Sequence, residues 1–390
     1  MTTIVDSADL AGVCERFSRE RYVTVDTEFM RERTFWPQLC LVQIAGADEA
    51  VAVDTLAADL DLTPVYTLLA DTRVLKVFHA ARQDIEIFYY RMGDVPRPIF
   101  DTQIAAMVCG FGDSVAYDTL VAKLTKNRID KSSRFTDWSL RPLSKRQLDY
   151  ALADVVHLRA VYDRLLAQLE RSGRSSWLEA EMAILTDPET YRLDPEDAWR
   201  RIKIRGGRPR MLAILREVTA WREREAQRRD LPRNRVLRDE ALLDIAAHAP
   251  ETVEQLARTR GLGRNLAEGR QGEALLDAVA RGLALPESQC PVLPGRPQLP
   301  DGLGPVVDLL KVLLKMKCEA HGVAQRLVAS SGDLELIAAD DDADVLALSG
   351  WRREVFGEDA LAVKHGRLAI TVAGKALQLV ERNPRSSGQA

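Results

Sequence analysis

The chain has 390 residues, of which 46% are hydrophobic and 29% charged, and its formal net charge is −4. This composition is normal for a soluble globular protein, and the length exceeds one ordinary core, so two or three domains are predicted. The N-terminus lacks a basic stretch followed by an apolar one, which argues against a signal peptide. Apolar runs stay well short of the roughly 20 residues of a membrane span.

The cysteines are scattered, odd in number and without C-x-x-C spacing. They are Cys14, Cys40, Cys109, Cys290 and Cys318. A disulfide framework or a zinc site is therefore not expected, and a reduced, cytoplasmic location is the default interpretation.

Strand-like and helix-like segments alternate at the start of the chain. Three strands are predicted over residues 22–25, 39–44 and 51–53, and their short connections favour antiparallel neighbours. A further strand over residues 73–79 leads into a helix over residues 81–90. A meander followed by β-α units predicts a mixed sheet with helices on its faces. The predicted fold class is α/β.

Two carboxylates stand at the predicted end of the first strand. Side chains at i and i+2 of a strand share one face, so Asp26 and Glu28 are expected to project together. Burying two like charges is costly unless a cation lies between them, and Mg²⁺ or Mn²⁺ prefers such oxygen ligands. A strand end whose carboxylates face water explains this pair equally well.

Two later segments add further candidates. Asp84 lies near the start of the helix after the fourth strand, where α/β sheets often present site residues, although the helix dipole alone also explains an acid there. Ser144 and Gln147 have capping-box spacing and open another helix. On that helix Tyr150 and Asp154 are one turn apart and therefore neighbours. The phenol could hydrogen-bond a water held on a metal. A half-buried tyrosine beside an exposed acid explains the pair as well.

Together these segments resemble a known family of nucleases. Residues 25–29, 77–84 and 150–155 resemble, in order, the three exonuclease motifs of the DEDD superfamily, and the tyrosine four residues before the last aspartate resembles its tyrosine-type branch. Residues 35–44 and 136–143 are similar to the ribonuclease D family in particular. The resemblance covers about the first 170 residues.

The resemblance implies an RNase H-like fold and a two-metal 3′→5′ exonuclease. By that similarity Asp26, Glu28 and Asp154 hold one Mg²⁺ or Mn²⁺ ion, and Asp26 also contacts the second. Asp84 holds the second ion, partly through water, and Tyr150 orients and helps to deprotonate the attacking water. The implied protein is a monomer that removes nucleoside 5′-monophosphates from RNA, with tRNA precursors as substrates. DNA cleavage and RNA binding without catalysis are the competing interpretations.

RNA contacts are expected from basic and aromatic residues, although a solvated surface or simple packing explains most of them as well. Residues 123–131 are basic and suit the backbone of a 3′ tail. Residues 200–238 hold 14 arginines or lysines and 4 acidic residues, a net charge of +10. The candidate substrate-binding residues are Thr27, Phe29, His79, Lys126, Arg128, Lys131, Arg228 and Arg229.

The second half of the chain is predicted to be helical. Residues 1–170 form the predicted exonuclease domain and residues 171–204 a helical linker. Residues 205–285 resemble the helicase-and-RNase-D C-terminal (HRDC) domain. After a proline- and glycine-rich linker, 286–305, a weak repeat at an offset of 91 residues predicts a second HRDC-like helical domain over 306–378. Its acidic cluster at 340–344 is interpreted as a solvated face, and 379–390 as a tail.

Overall fold

The structure is a computed structural model that describes residues 2–130, 136–204, 206–293, 300 and 302–382. The strands are β1 (Thr2–Ile4), β2 (Tyr22–Met30), β3 (Gln38–Ala45), β4 (Ala50–Val53), β5 (Leu75–Phe78), β6 (Ile99–Asp101), β7 (Leu368–Ala373) and β8 (Ala376–Glu381). The helices of the first half are α1 (Ser7–Phe17), α2 (Thr63–Ala70), α3 (Arg82–Met92), α4 (Thr102–Val108), α5 (Tyr117–Thr125), α6 (Lys145–Ser172) and α7 (Glu179–Leu185).

The second half is mainly helical. Its helices are α8 (Pro209–Arg229), α9 (Arg233–Val236), α10 (Asp239–His248), α11 (Val253–Leu256), α12 (Arg264–Ala267), α13 (Arg270–Ala284), α14 (Gly304–His321), α15 (Gln325–Val328), α16 (Ser331–Ala339), α17 (Gly350–Arg352) and α18 (Glu358–Lys364). Within the described residues, none of these helices is both long enough and apolar enough to cross a membrane.

The first six strands form one mixed sheet in the order β1-β4-β3-β2-β5-β6. Strands β2, β3 and β4 are antiparallel neighbours, and β5 runs parallel to β2, which confirms the predicted meander and the α/β class. The predicted end of the first strand was wrong. Strand β2 continues past Val25 to Met30, because β3 keeps pairing with it as far as Gln38. Asp26 and Glu28 therefore lie within a paired strand.

Helix α6 packs against this sheet and is fixed at its N-terminus and at Val155 within the helix. The predicted capping box is present, since the side chains of Ser144 and Gln147 each accept the other residue's backbone N–H. The Thr24 hydroxyl of β2 donates to the carbonyl of Val155 at 2.8 Å. This contact fixes the position of α6 along β2. Asp154, the residue before Val155, therefore lies beside Asp26.

The two helical regions of the second half pack differently. Helices α8–α13 have their own core, joined by Trp199 and Ile202 from the preceding segment. Helices α14–α18 share one continuous hydrophobic cluster with α4, α5 and α6. Trp177 and Trp351 stack across that contact with ring centroids 4.1 Å apart. The helix order α8-α9-α10 recurs as α14-α15-α16, in keeping with the repeat, while the domain boundaries themselves stay predictions.

The end of the second helical region differs from expectation. Residues 368–381 were predicted as helix and tail, but they form the antiparallel hairpin β7–β8. The first of its strands contains three consecutive β-branched residues, Ile370, Thr371 and Val372. Gly374, at φ +64°, supplies the left-handed backbone of the two-residue turn. The prediction extended the helical spacing of the preceding residues into this segment and so missed the two strands.

Candidate active site

Strand β2 and helix α6 bring three carboxylates together. Asp26 and Glu28 project from one face of β2, and Asp154 approaches them from α6. One ligand oxygen of each lies within 4.8 Å of the others. Asp26 and Glu28 are half-buried and Asp154 is buried. The strand spacing and the helix placement thus produce a compact cluster of hard oxygen donors.

The fourth predicted carboxylate, Asp84, lies in the first turn of α3 and is buried. The Thr27 hydroxyl donates a hydrogen bond to it. Burial and the nearby charge of Asp26 raise the pKa of Asp84 well above its ordinary value. Thr27, predicted as a substrate contact, therefore orients a carboxylate in this structure.

The start of α3 is held by a residue that the motif search did not single out. The Asp101 carboxylate accepts the backbone N–H groups of Ala80 at 3.0 Å and Ala81 at 2.8 Å, and also caps α4 through Gln103. Ala80 has a left-handed backbone at φ +58°. An aspartate between a short strand and a helix is the available sequence signal for this role. Asp101 thus fixes the turn that presents Asp84.

Burial and mutual repulsion raise the pKa values of the two carboxylates on β2. Burial and the charges of Asp26, Asp154 and Asp84 raise the pKa of Glu28 to about 10. Burial and the charge of Asp154 also raise the pKa of Asp26 well above its ordinary value. Among the described residues, neither Asp26 nor Glu28 forms an ion pair with a lysine or arginine. The cluster must therefore bind protons or a cation, and its donor set fits a divalent ion.

Tyr150 lies one helical turn before Asp154 on α6 and lines the same cleft. Burial, followed by the charge of Asp154, raises the pKa of its phenol far above the ordinary value, and the two side chains are hydrogen-bonded. In the metal-free protein the phenol is therefore neutral at physiological pH. The phenol can therefore orient a water by hydrogen bonding.

The cleft has a second wall that sequence reasoning missed. Tyr117 of α5 donates its hydroxyl to the backbone carbonyl of Asp154, and its ring lies 5.0 Å from that of His79. Thr102 donates to the carbonyl of Phe78, so its hydroxyl accepts from Nδ1 of His79 at 3.0 Å. Burial lowers the pKa of His79, which keeps the ring neutral. No motif contained Tyr117, and only the packing of α5 against α6 reveals it.

Among the described residues, the remaining predicted RNA contacts other than His79 do not line this cleft. Lys126 and Arg128 are exposed and precede Ile129, which lines the cleft, whereas Lys131 falls outside the described residues. The guanidinium carbon of Arg31 lies over the Phe29 ring, 5.4 Å from its centroid.

Arg228 and Arg229 lie far along the chain at the end of α8. Both are exposed, and both form ion pairs with Glu225, at 2.8 Å and 3.5 Å. Their assignment as RNA contacts stays a prediction.

Comparison with known proteins places this geometry in a family. Residues 1–170 match the family model described as 3′-5′ exonuclease, and residues 211–279 match the HRDC domain. A ribonuclease D of Granulibacter bethesdensis is 55% identical over 380 residues, which cover 97% of this chain and 96% of the relative. The chain belongs to the ribonuclease D family.

Further relatives agree with this assignment. A ribonuclease D of Nitrobacter hamburgensis is 53% identical and covers 98% of this chain and 100% of its own. The crystal structure of Escherichia coli RNase D, described as an exoribonuclease involved in structured RNA processing, superposes with a TM-score of 0.79. It shares 31% identity and covers 93% of this chain and 99% of its own. The α/β exonuclease fold with a following HRDC domain is confirmed, and the protein is a 3′-5′ exoribonuclease of the DEDD superfamily.

Proposed function

We propose that this exoribonuclease trims the 3′ ends of structured RNA, with tRNA precursors as substrates, and releases nucleoside 5′-monophosphates. It works as a monomer in the cytoplasm. The observation that carries the proposal is the cluster of three carboxylates, which opens into a cleft of about 390 Å³ lined by Asp26, His79, Tyr117, Tyr150 and Asp154. A cleft of that size accommodates a single terminal nucleotide rather than a duplex.

In this proposal the four carboxylates hold two divalent ions. Asp26, Glu28 and Asp154 would hold the first, and Asp84 together with Asp26 would hold the second. Such ions, when bound, polarise the phosphodiester, lower the pKa of a bound water and stabilise the leaving oxygen. The proposal is supported by the clustered oxygens, the raised pKa values and the hydrogen bond that orients Asp84.

The other side chains of the cleft position the reactants. Tyr150, which lies one helical turn before Asp154, orients the attacking water and helps to deprotonate it. Tyr117 holds the backbone of Asp154, and Thr102 fixes His79 with its other ring nitrogen able to accept a hydrogen bond from a ribose hydroxyl. Lys126 and Arg128 contact the phosphates of the 3′ tail.

A digestion experiment tests this proposal. A tRNA precursor with a labelled 3′ tail, incubated with Mg²⁺, should lose its tail one nucleotide at a time and yield 5′-monophosphates. A DNA of matched tail sequence should be degraded more slowly. Equal rates on both would favour a general DNA and RNA exonuclease, and binding of the precursor without release of mononucleotides would contradict the proposed activity.

A further inference from the structure

A second pocket, of about 410 Å³, lies where the loop after β2 meets the HRDC region. Its charged lining comes from three separate parts of the chain. Arg31 belongs to the loop, Arg201 to the segment before α8, and Arg222 and Arg233 to α8 and α9, with Asp239 beside them. We name this site the seam pocket.

The seam pocket is held in shape by contacts across the two regions. Asp230, at the end of α8, accepts the backbone N–H groups of Phe35 at 3.0 Å and Trp36 at 2.9 Å. The guanidinium of Arg233 lies 4.4 Å from the Phe35 ring, and Trp36 packs on Tyr90 with centroids 4.4 Å apart. The loop is therefore fixed before any ligand arrives, which removes much of the ordering cost of binding.

Three of the four arginines are already oriented by carboxylates. Arg222 is buried and donates to Asp239 at 2.6 Å. Arg31 pairs with Glu86 at 2.6 Å through one nitrogen, and Arg233 makes two hydrogen bonds to the buried Glu223.

Arg201 is different, because it is exposed and forms no ion pair or side-chain hydrogen bond with the part of the chain that the structure describes. The pocket thus presents one guanidinium that has no carboxylate partner among the residues described, beside that of Arg31, which pairs through one nitrogen. A guanidinium fork matches the oxygens of a phosphate.

The seam pocket is connected to the active site by β2 itself. Glu28 lies in β2, and Arg31 follows the end of that strand three residues later; at about 3.3 Å per residue of extended chain, at most roughly 10 Å separates the two backbone positions. We propose that the seam pocket binds a backbone phosphate of the RNA strand, a few nucleotides upstream of the 3′ end that is being removed. This inference rests on the proposed function, since it assumes that the 3′ end occupies the carboxylate cleft.

The test compares two neighbouring arginines on RNAs of two lengths. Arg201→Gln removes the uncompensated charge, and Arg200→Gln is the matched control, because Arg200 is exposed, pairs with Asp197 at 2.8 Å and does not line the pocket. Binding is measured in Ca²⁺, without turnover, on an RNA with a 12-nucleotide single-stranded tail and on a dinucleotide.

For Arg201→Gln, the Kd for the long RNA should rise about three- to tenfold, and the slope of log K against log salt should fall by about 0.7. The dinucleotide should bind as to the wild type, and Arg200→Gln should match the wild type on both RNAs. kcat on the long RNA should be unchanged while KM rises.

Two results would overturn the proposal. One is an unchanged Kd and salt slope for the long RNA. The other is an equal loss on the long RNA and the dinucleotide, which would assign Arg201 to the cleft or to the fold. A third arm adds adenosine 5′-monophosphate: a variant that loses product inhibition but keeps its affinity for the long RNA would mean that the pocket takes free mononucleotide, against the proposal.

These outcomes are separable from failure of the proposed function. If the wild type binds the long RNA but releases no mononucleotide, the proposed function fails, whereas the binding comparison between Arg201→Gln and Arg200→Gln still supports or overturns the seam pocket.

Discussion

The carboxylate cleft and the basic segment 200–238 carry opposite charges, and the fold treats those charges differently. In the cleft, Asp26 and Glu28 have raised pKa values and no ion-pair partner among the described residues. In the basic segment, most arginines are already engaged by carboxylates or carbonyls. Those engaged are Arg200, Arg210, Arg216, Arg222, Arg224, Arg228, Arg229 and Arg233.

The difference teaches how to interpret charge counts. The net +10 of the segment counts every arginine equally, although several serve to hold α8, α9 and the preceding segment together. The carboxylates of the cleft are fewer, but Asp26 and Glu28 have no lysine or arginine partner among the described residues, so the site favours a bound cation. The charges that the fold leaves unpaired, such as that of Arg201, are the better guide to ligand binding than the total.

Removing a carboxylate from the cleft should have the largest effect. Asp26→Asn keeps the shape of the side chain but removes a charge that both proposed ions share. We expect kcat to fall by about 10³-fold or more, with RNA affinity and melting temperature retained. Single-turnover cleavage of a labelled RNA measures this loss.

The matched control is Asp149→Asn, on α6 near the cleft, whose exposed carboxylate pairs with Lys145. It should cleave at the wild-type rate. Near-normal turnover by Asp26→Asn would show that the carboxylate cleft is not the catalytic centre.

Tyr150→Phe should have the next largest effect. The ring and its packing against Trp138 stay, but the hydroxyl that orients the attacking water is lost. We expect kcat to fall by about 10²-fold, with little change in the Mg²⁺ concentration that gives half-maximal rate. An unchanged kcat would remove Tyr150 from the mechanism, and a large shift in the Mg²⁺ dependence would make it a metal-site residue instead.

The cleft should also make metal binding depend on pH. The pKa of Glu28 rises from its ordinary value of 4.5 to about 10 on folding, so the folded state binds the proton more tightly than the unfolded state. The free energy of unfolding of the metal-free protein should therefore fall as pH rises between those values. Because Mg²⁺ competes with protons, its stabilisation should grow over the same range.

Thermal melting at pH 6 and pH 8.5, with excess Mg²⁺ or with a chelator, measures this linkage. We expect a larger metal-induced rise in Tm at pH 8.5, and a smaller pH dependence in Glu28→Gln. Activity should be weak at acid pH for the same reason. A metal-induced rise in Tm that is equal at both pH values would contradict the account of an anionic cluster.

The paired arginines of the basic segment should show the smallest effect. The double variant Arg228→Gln with Arg229→Gln removes two cations from the protein. In the wild type both arginines must break their ion pairs with Glu225 before they can contact RNA. Exposed ion pairs are weak, so exchange for a phosphate is cheap, and we expect Kd to rise about threefold with a lower salt slope. An unaltered salt slope would return both residues to a purely structural role.

The sequence predicted much of the site because its signals are local. Two carboxylates at i and i+2, a capping box, and Tyr150 one turn before Asp154 follow from the periods of strands and helices. The prediction that Asp26 lies past the end of the strand was wrong, because the pairing of β2 with β3 is a property of two strands and not of the segment alone.

Long-range placement explains what the sequence did not reveal. Tyr117, Asp101 and the seam pocket depend on how α5, β6 and α8 pack against other elements. The hairpin β7–β8 was missed because its alternation follows directly on a helical region. The shared core of α6 and α14 could not be read from either segment by itself, since each has an ordinary amphipathic pattern.

Counting bound ions tests the central claim most directly. Mn²⁺ binding, followed by electron paramagnetic resonance with a non-cleavable RNA present, should give two ions per chain for the wild type and for Asp149→Asn. Asp26→Asn should lose at least one of them at the same Mn²⁺ concentration. Unchanged Mn²⁺ binding by Asp26→Asn would contradict the claim that the carboxylate cleft holds the catalytic metal.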